Sequence, residues 1–220
     1  MARRIAESLV GLAFLGTASI ANAVPTELIT NGGFETGDLT GWNASNVIVD
    51  STHAGVAANE GAFMAIMSPD GVFDADLGQV FDPTGFNSAT ISLDYNLQAN
   101  DVSFFDAGSD SLTVSVGGTV LLSVSLNDAF GGGATIQGWQ TSTTVVDSSL
   151  LSAPLTIAFS LENFPFGGGD PGQTLTAYID AVSVEAVGVP EPATVALFGF
   201  GLAGLGAMTR RRVVRLTPSA

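Results

Sequence analysis

The chain has 220 residues, with 21 acidic against 6 basic side chains, one histidine and no cysteine, and a formal charge of −15. All six basic residues are arginines at positions 3, 4, 210, 211, 212 and 215, so everything between lacks the cationic side chains that phosphate recognition requires. Nucleic acid is therefore excluded as a partner, and so is any disulfide staple.

The first element is a secretory leader. Arg3 and Arg4 precede an apolar run from Leu9 to Ile20, and Ala21-Asn22-Ala23 closes it as an A-x-A site. This predicts a signal helix over residues 1–23, cut by signal peptidase after Ala23. An uncleaved anchor is the poorer reading, because the apolar run is too short to span a bilayer well.

Residues 24–187 read as one all-β domain. Of the 21 acidic residues only Glu7 and Glu191 lie outside Val24–Val189, which leaves 19 carboxylates with no Lys or Arg and a formal charge of −19. Such a surface repels its copies unless divalent cations bridge them. Strands are predicted at 28–30, 47–50, 62–67, 78–81, 89–99, 111–116, 119–126, 140–146, 155–161 and 176–186. Ser111–Val116 and Thr119–Leu126 alternate polar and apolar residues around Gly117-Gly118, a hairpin signal because both turn positions need positive φ. Turn-rich stretches such as Asp82-Pro83-Thr84-Gly85 separate the others. Short strands at this spacing predict an antiparallel β-sandwich, of the jelly-roll kind.

Residues 188–220 form a tail of different character. Pro190-Glu191-Pro192 is followed by an apolar stretch sixteen residues long, Ala193–Met208, and then Arg210-Arg211-Arg212. As a helix that stretch reaches roughly 24 Å, short of the ~30 Å hydrocarbon core, so it predicts a marginal membrane helix at about 193–208. The arginines hold its far end on the cytoplasmic side. This tail resembles the PEP-CTERM sorting signal of Gram-negative bacteria that make exopolysaccharide. The same tail is sometimes called an ice-binding protein C-terminal motif, a label that concerns the tail alone. The resemblance implies an exosortase-type membrane enzyme as partner, transient anchoring in the inner membrane, and delivery to the cell surface or extracellular matrix.

The domain carries a second resemblance. It opens Asn31-Gly32-Gly33-Phe34-Glu35 with Gly41-Trp42 behind, and closes Tyr178-Ile179-Asp180-Ala181-Val182-Ser183-Val184. This pairing is similar to the galactose-binding-like jelly rolls, which include carbohydrate-binding modules. The likeness implies that first and last strands lie together, with a structural Ca²⁺ beside them. Strand alternation puts Asp180 on the face of Val182 and Val184, hence toward the core. A buried carboxylate needs hydrogen bonds, a counter-ion or protonation, and no Lys or Arg is at hand. A cation held by Glu35, Asp180 and backbone carbonyls is one solution, with Ca²⁺ suited to oxygen-only ligation. Backbone N–H donors to Asp180 are the other. Asp38 reads as a turn residue that could add one oxygen.

Catalytic constellations are poor. Cysteine and lysine are absent, and the lone His53 sits in a loop without a nucleophile elbow, as a solvated residue. Glycan binding needs exposed aromatics. Trp42 reads as core, and Trp139 either as core at a strand start or as a glycan contact together with Phe164 and Phe166. The sequence thus points to a non-enzymatic, exported surface or exopolysaccharide-matrix protein. The alternative is a carbohydrate-binding module holding extracellular polysaccharide, and the third reading a small glycoside hydrolase.

Overall fold

The structure, a computed structural model, describes residues 23–69, 73–99, 110–125, 136–163 and 175–188, with the single positions 129, 199, 201 and 202. Val24–Val189 forms one compact unit. The expected leader residue Ala21, the aromatics Phe164 and Phe166, and the tail residues Pro190, Glu191, Pro192, Arg210, Arg211 and Arg212 lie outside the described residues. Among the described residues no helix is long and apolar enough to cross a membrane.

Thirteen strands are described, and every pairing between them is antiparallel. They are β1 (Thr26–Glu27), β2 (Asn43–Ser45), β3 (Val47–Asp50), β4 (Thr52–His53), β5 (Val56–Ala57), β6 (Met64–Met67) and β7 (Ala75–Phe81). There follow β8 (Phe86–Ala99), β9 (Ser111–Val116), β10 (Thr119–Ser125), β11 (Gln140–Asp147), β12 (Leu155–Glu162) and β13 (Leu175–Gly188). The first sheet runs β11-β8-β13-β6-β3, with β1 also on β13, and the second runs β10-β9-β12-β7-β2. This is the antiparallel β-sandwich that the alternation predicted.

Period-two patterning explains the layering. Leu112, Val114 and Val116 of β9, Ile157, Phe159 and Leu161 of β12, and Ile91, Leu93 and Leu97 of β8 all enter one core cluster. The intervening Ser111, Thr113 and Ser115 stay half-exposed. The β9–β10 hairpin forms at Gly117 and Gly118, whose φ values of 57° and 82° need glycine. Trp42 is core, as expected: its ring centroid lies 5.5 Å from that of Phe34 and 6.1 Å from that of Phe159, and its Nε1 donates to Asn31 O at 3.0 Å.

Three short strands, β2, β4 and β5, have no clear alternation signal, and the first strand falls at Thr26–Glu27 rather than at 28–30. The β4–β5 hairpin lies over the outer side of the first sheet, where Val56, Met64, Ile66 and Tyr178 form a second cluster with Trp139 packed on it. Trp139 is therefore half-buried on an outer face rather than in the central core. His53 is not a free loop residue either: Nε2 faces Pro69 O at 2.9 Å and the ring lies 6.1 Å from Tyr178.

Candidate functional site

The last strand is interrupted. Ala181 has φ 48°, in the left-handed region, and the register of β13 against β8 shifts between Asp180 and Ser183. One extra residue reverses the alternation. Ala177 and Ile179 face the core before the bulge, and Val182, Val184 and Ala186 face it afterwards. Asp180 consequently points to the outer side with Tyr178, not to the side of Val182 and Val184. Strict period-two counting fails here because Ala181 is a bulge residue.

The bulge also leaves a gap along one edge of β13. β6 borders Ala177–Ile179, β1 borders Glu185–Ala186, and among the described residues no strand pairs with that edge between them. Loops fill it. Val182 N donates to Gly32 O at 3.0 Å, and Leu28 N donates to Val184 O at 3.0 Å. Gly32 sits so close that a Cβ there would overlap the Val182 carbonyl oxygen, so this position requires glycine. Asn31 (φ 53°) and Phe34 (φ 57°) are left-handed non-glycine residues in the same loop. Backbone strain thus concentrates around the gap.

The two carboxylates singled out from sequence meet here. Asp180 is fully buried, with Oδ2 accepting from Asn59 N and Glu60 N at 2.9 Å each, and Oδ1 from Ala181 N at 2.8 Å. Glu35 accepts from Ala62 N at 2.9 Å and from Phe63 N at 3.0 Å. Burial pushes the Asp180 carboxyl up from its ordinary value against the pull of its three N–H donors, and the Glu35 charge pushes it further up. The backbone donors thus meet the need for partners without a cation.

A groove of about 400 Å³ opens beside them, lined by Glu27, Gly32, Glu35, Glu60, Ala181 and Ser183 among others. Glu27 was not singled out from sequence, yet it ties this region together: Oε1 accepts from Ile29 N at 2.7 Å and Val184 N at 2.9 Å, and Oε2 from the Ser183 hydroxyl. Among the described residues no three His, Cys, Asp or Glu side chains stand together as a metal cluster. A cation held by Glu35 and Asp180 must therefore complete its shell with backbone carbonyls and water, a donor set that fits Ca²⁺ and not Zn²⁺. Asp38 is a turn residue: its carboxyl is held below the usual range by the Thr40 and Thr36 side chains and the Thr40 N–H.

Trp139 stands apart from this groove, with Nε1 donating to Ala57 O at 3.1 Å. From it the outer side of the first sheet continues as Thr141, Thr143, Asp94, Ser92 and Ser183, a strip of four hydroxyls and one carboxylate. Further along β13, the phenol of Tyr178 is buried and bonded to Gln98, and burial raises it to about 12.

Three known β-sandwiches are similar in outline. TmCBM61, in complex with β-1,4-galactotriose, is 15% identical, with 72% of this chain and 97% of that one covered and a TM-score of 0.47. The CBM22-1 xylan-binding domain of Paenibacillus barcinonensis Xyn10C is 15% identical (77% and 99% covered, TM-score 0.41). A family 35 carbohydrate-binding module from Clostridium thermocellum is 12% identical (76% and 100% covered, TM-score 0.39). At these scores nothing about a ligand follows. No curated protein matches the chain. Residues 188–212, by contrast, match the PEP-CTERM protein-sorting motif, so the chain carries that motif directly behind its β-sandwich and is an exported protein sorted through the cell envelope.

Proposed function

We propose that this is a non-enzymatic protein of the cell surface or exopolysaccharide matrix, released there by an exosortase-type enzyme acting on the tail. The observation that carries the reading is the sorting motif at 188–212, which follows a sandwich domain holding no Lys or Arg. In this reading signal peptidase frees Val24, the apolar stretch at 193–208 anchors the chain in the inner membrane, and cleavage in the tail delivers the domain outward. A Ca²⁺ ion beside Glu35 and Asp180 staples the opening loop to the last strand. The decisive measurement is the intact mass of surface material from cells with and without the sorting enzyme. Loss of the Arg210–Arg212 end in the first case alone supports the reading, and its retention in both overturns it.

A second reading, polysaccharide binding, is favoured by the half-buried Trp139 beside the hydroxyl and carboxylate strip of the outer sheet face. A glycan array on Val24–Val189, run with and without Ca²⁺, tests it. Binding that Trp139→Ala abolishes supports this role, and no binding under either condition removes it.

A further inference from the structure

The described part of Val24–Gly188 exposes eight large hydrophobic side chains, and five of them crowd one end of the sandwich. Residues 82–85 turn from β7 to β8 there, with Phe86 N donating to Pro83 O at 3.2 Å. Gly117–Gly118 turn from β9 to β10, and residues 148–154 cross from β11 to β12. The pairings Phe81↔Leu155, Val116↔Ile157, Ser88↔Asp147 and Phe86↔Gly188 place all these connections at the same end. Val80, Val120, Val145 and Leu150, exposed by 61%, 57%, 67% and 41%, lie in these turns or within three residues of them. Val24, exposed by 82%, is the fifth.

Both chain ends leave from this place. Thr26 pairs with Ala186 and Glu27 with Glu185, so the start of the domain lies alongside the residues that lead into the sorting motif at Gly188. We propose that this end is a lipid-contacting surface, lying on the bilayer for as long as the sorting tail tethers the protein. The proposal rests on the tail being a membrane anchor, as read above. From Gly188 to Ala193, where the apolar stretch begins, the chain reaches at most about 18 Å, of which the headgroup layer takes roughly 5–8 Å, so this end is held within about 10–13 Å of the bilayer surface. Tethering makes the local lipid concentration high, and a weak apolar contact then suffices. Electrostatics does not drive the contact, because Glu27, Asp82, Asp147 and Glu185 lie at this end with no Lys or Arg, and the Val24 amino group freed by leader cleavage is the one positive charge beside them. Neutral lipid is the partner, and cutting the tail removes the tether and with it the contact.

The chain has no cysteine, so a single introduced one is a unique label site. Full-length protein carrying Val120→Cys, Leu150→Cys or Phe73→Cys is labelled with a fluorophore and reconstituted into phosphatidylcholine vesicles containing spin-labelled lipid. Phe73 is also exposed, by 58%, but precedes β7 at the opposite end. The expected result is quenching at 120 and 150 and none at 73, with quenching at 150 lost in Val80→Asp/Val120→Asp/Val145→Asp. Adding anionic lipid should reduce the quenching. Equal quenching at all three sites, or none at any while the protein still floats with the vesicles, overturns the proposal. Failure to float with the vesicles overturns the anchor reading itself.

Discussion

Asp180 of β13 stands directly opposite Asp94 of β8, and one residue, Asn59, serves both carboxylates. Its backbone N–H donates to Asp180 Oδ2 at 2.9 Å, and its side-chain amide donates to Asp94 Oδ2 at 2.6 Å. Like charges at facing positions of an antiparallel pair destabilise it. Here the loop carrying Asn59 and Glu60 supplies the compensating donors, so the fold of that loop depends on Asp180 as much as Asp180 depends on the loop.

Asp180→Ala leaves the N–H groups of Asn59, Glu60 and Ala181 without their acceptor. The three hydrogen bonds are part-buried, and Asn59 and Glu60 are exposed residues whose N–H groups can turn to water, so the expected loss is about 1–3 kcal/mol. Asp94→Ala removes a more exposed acceptor and a like charge together, so its loss should stay under about 1 kcal/mol. Urea unfolding of both variants at neutral pH measures the contrast. Equal losses would mean that the loop does not lean on Asp180.

The pH dependence has a definite sign. A carboxyl whose folded value is raised binds its proton more tightly when folded, so acidification through that range adds stability relative to a variant that cannot titrate. Without Ca²⁺, wild type should gain on Asp180→Asn as pH falls from 7 toward the unperturbed value of about 4. Asp38, Asp82 and Asp147 act oppositely: hydrogen bonds lower them, so their stabilisation is present above the unperturbed value and lost in more acidic solution. Thermal melts of wild type and Asp180→Asn across that range decide the sign. A gap moving in favour of the variant on acidification would show Asp180 stabilised as the anion.

How far the sequence speaks depends on the range of the interaction. Ser111–Val116, Gly117-Gly118 and Thr119–Ser125 carry local alternation and a local turn requirement, and the hairpin follows from them directly. Asp180 stands out in the sequence as a carboxylate inside an apolar strand with no Lys or Arg in the domain to pair it, and Glu35 as the acid of the opening motif that the family resemblance sets beside that strand. Their partners do not. Asn59 and Glu60 lie 121 and 120 residues before Asp180, and the donors are backbone groups, which every residue possesses. The bulge escaped because its left-handed position is an alanine, a residue that carries no turn signal. Glu27 escaped because its Oε1 also accepts the backbone N–H groups of Ile29 and Val184, again without a side-chain pattern.

Two substitutions at the gap should move stability in opposite directions. Gly32→Ala drives a methyl group into the Val182 carbonyl and must displace the opening loop from β13, a loss of about 3 kcal/mol or more. Ala181→Gly relieves a left-handed residue that costs roughly 1–2 kcal/mol, less the backbone entropy that glycine adds in the unfolded chain. The net expectation is between neutrality and a gain of about 1 kcal/mol. Denaturant midpoints for the pair provide the check, and destabilisation by both would point to side-chain packing at Ala181 in place of backbone strain.

Ca²⁺ should raise the melting temperature of Val24–Val189 by mass action on the folded state, since only the folded chain brings Glu35 to Asp180. A second cause would mimic this, because any cation screens a domain with 19 carboxylates and no Lys or Arg. Running the melts in about 1 M NaCl, where the Debye length is about 3 Å, removes most of that screening difference. Under those conditions Asp180→Asn should lose most of the Ca²⁺-induced rise and Glu35→Gln a substantial part, while Mg²⁺, which demands tighter octahedral geometry, should do less in wild type. Both substitutions keep a side chain of similar shape and an acceptor oxygen, so the variants retain part of the N–H contacts and remain foldable. An equal rise in wild type and both variants would leave the backbone donors as the complete account of the buried carboxylate, and Ca²⁺ would have no place beside Asp180.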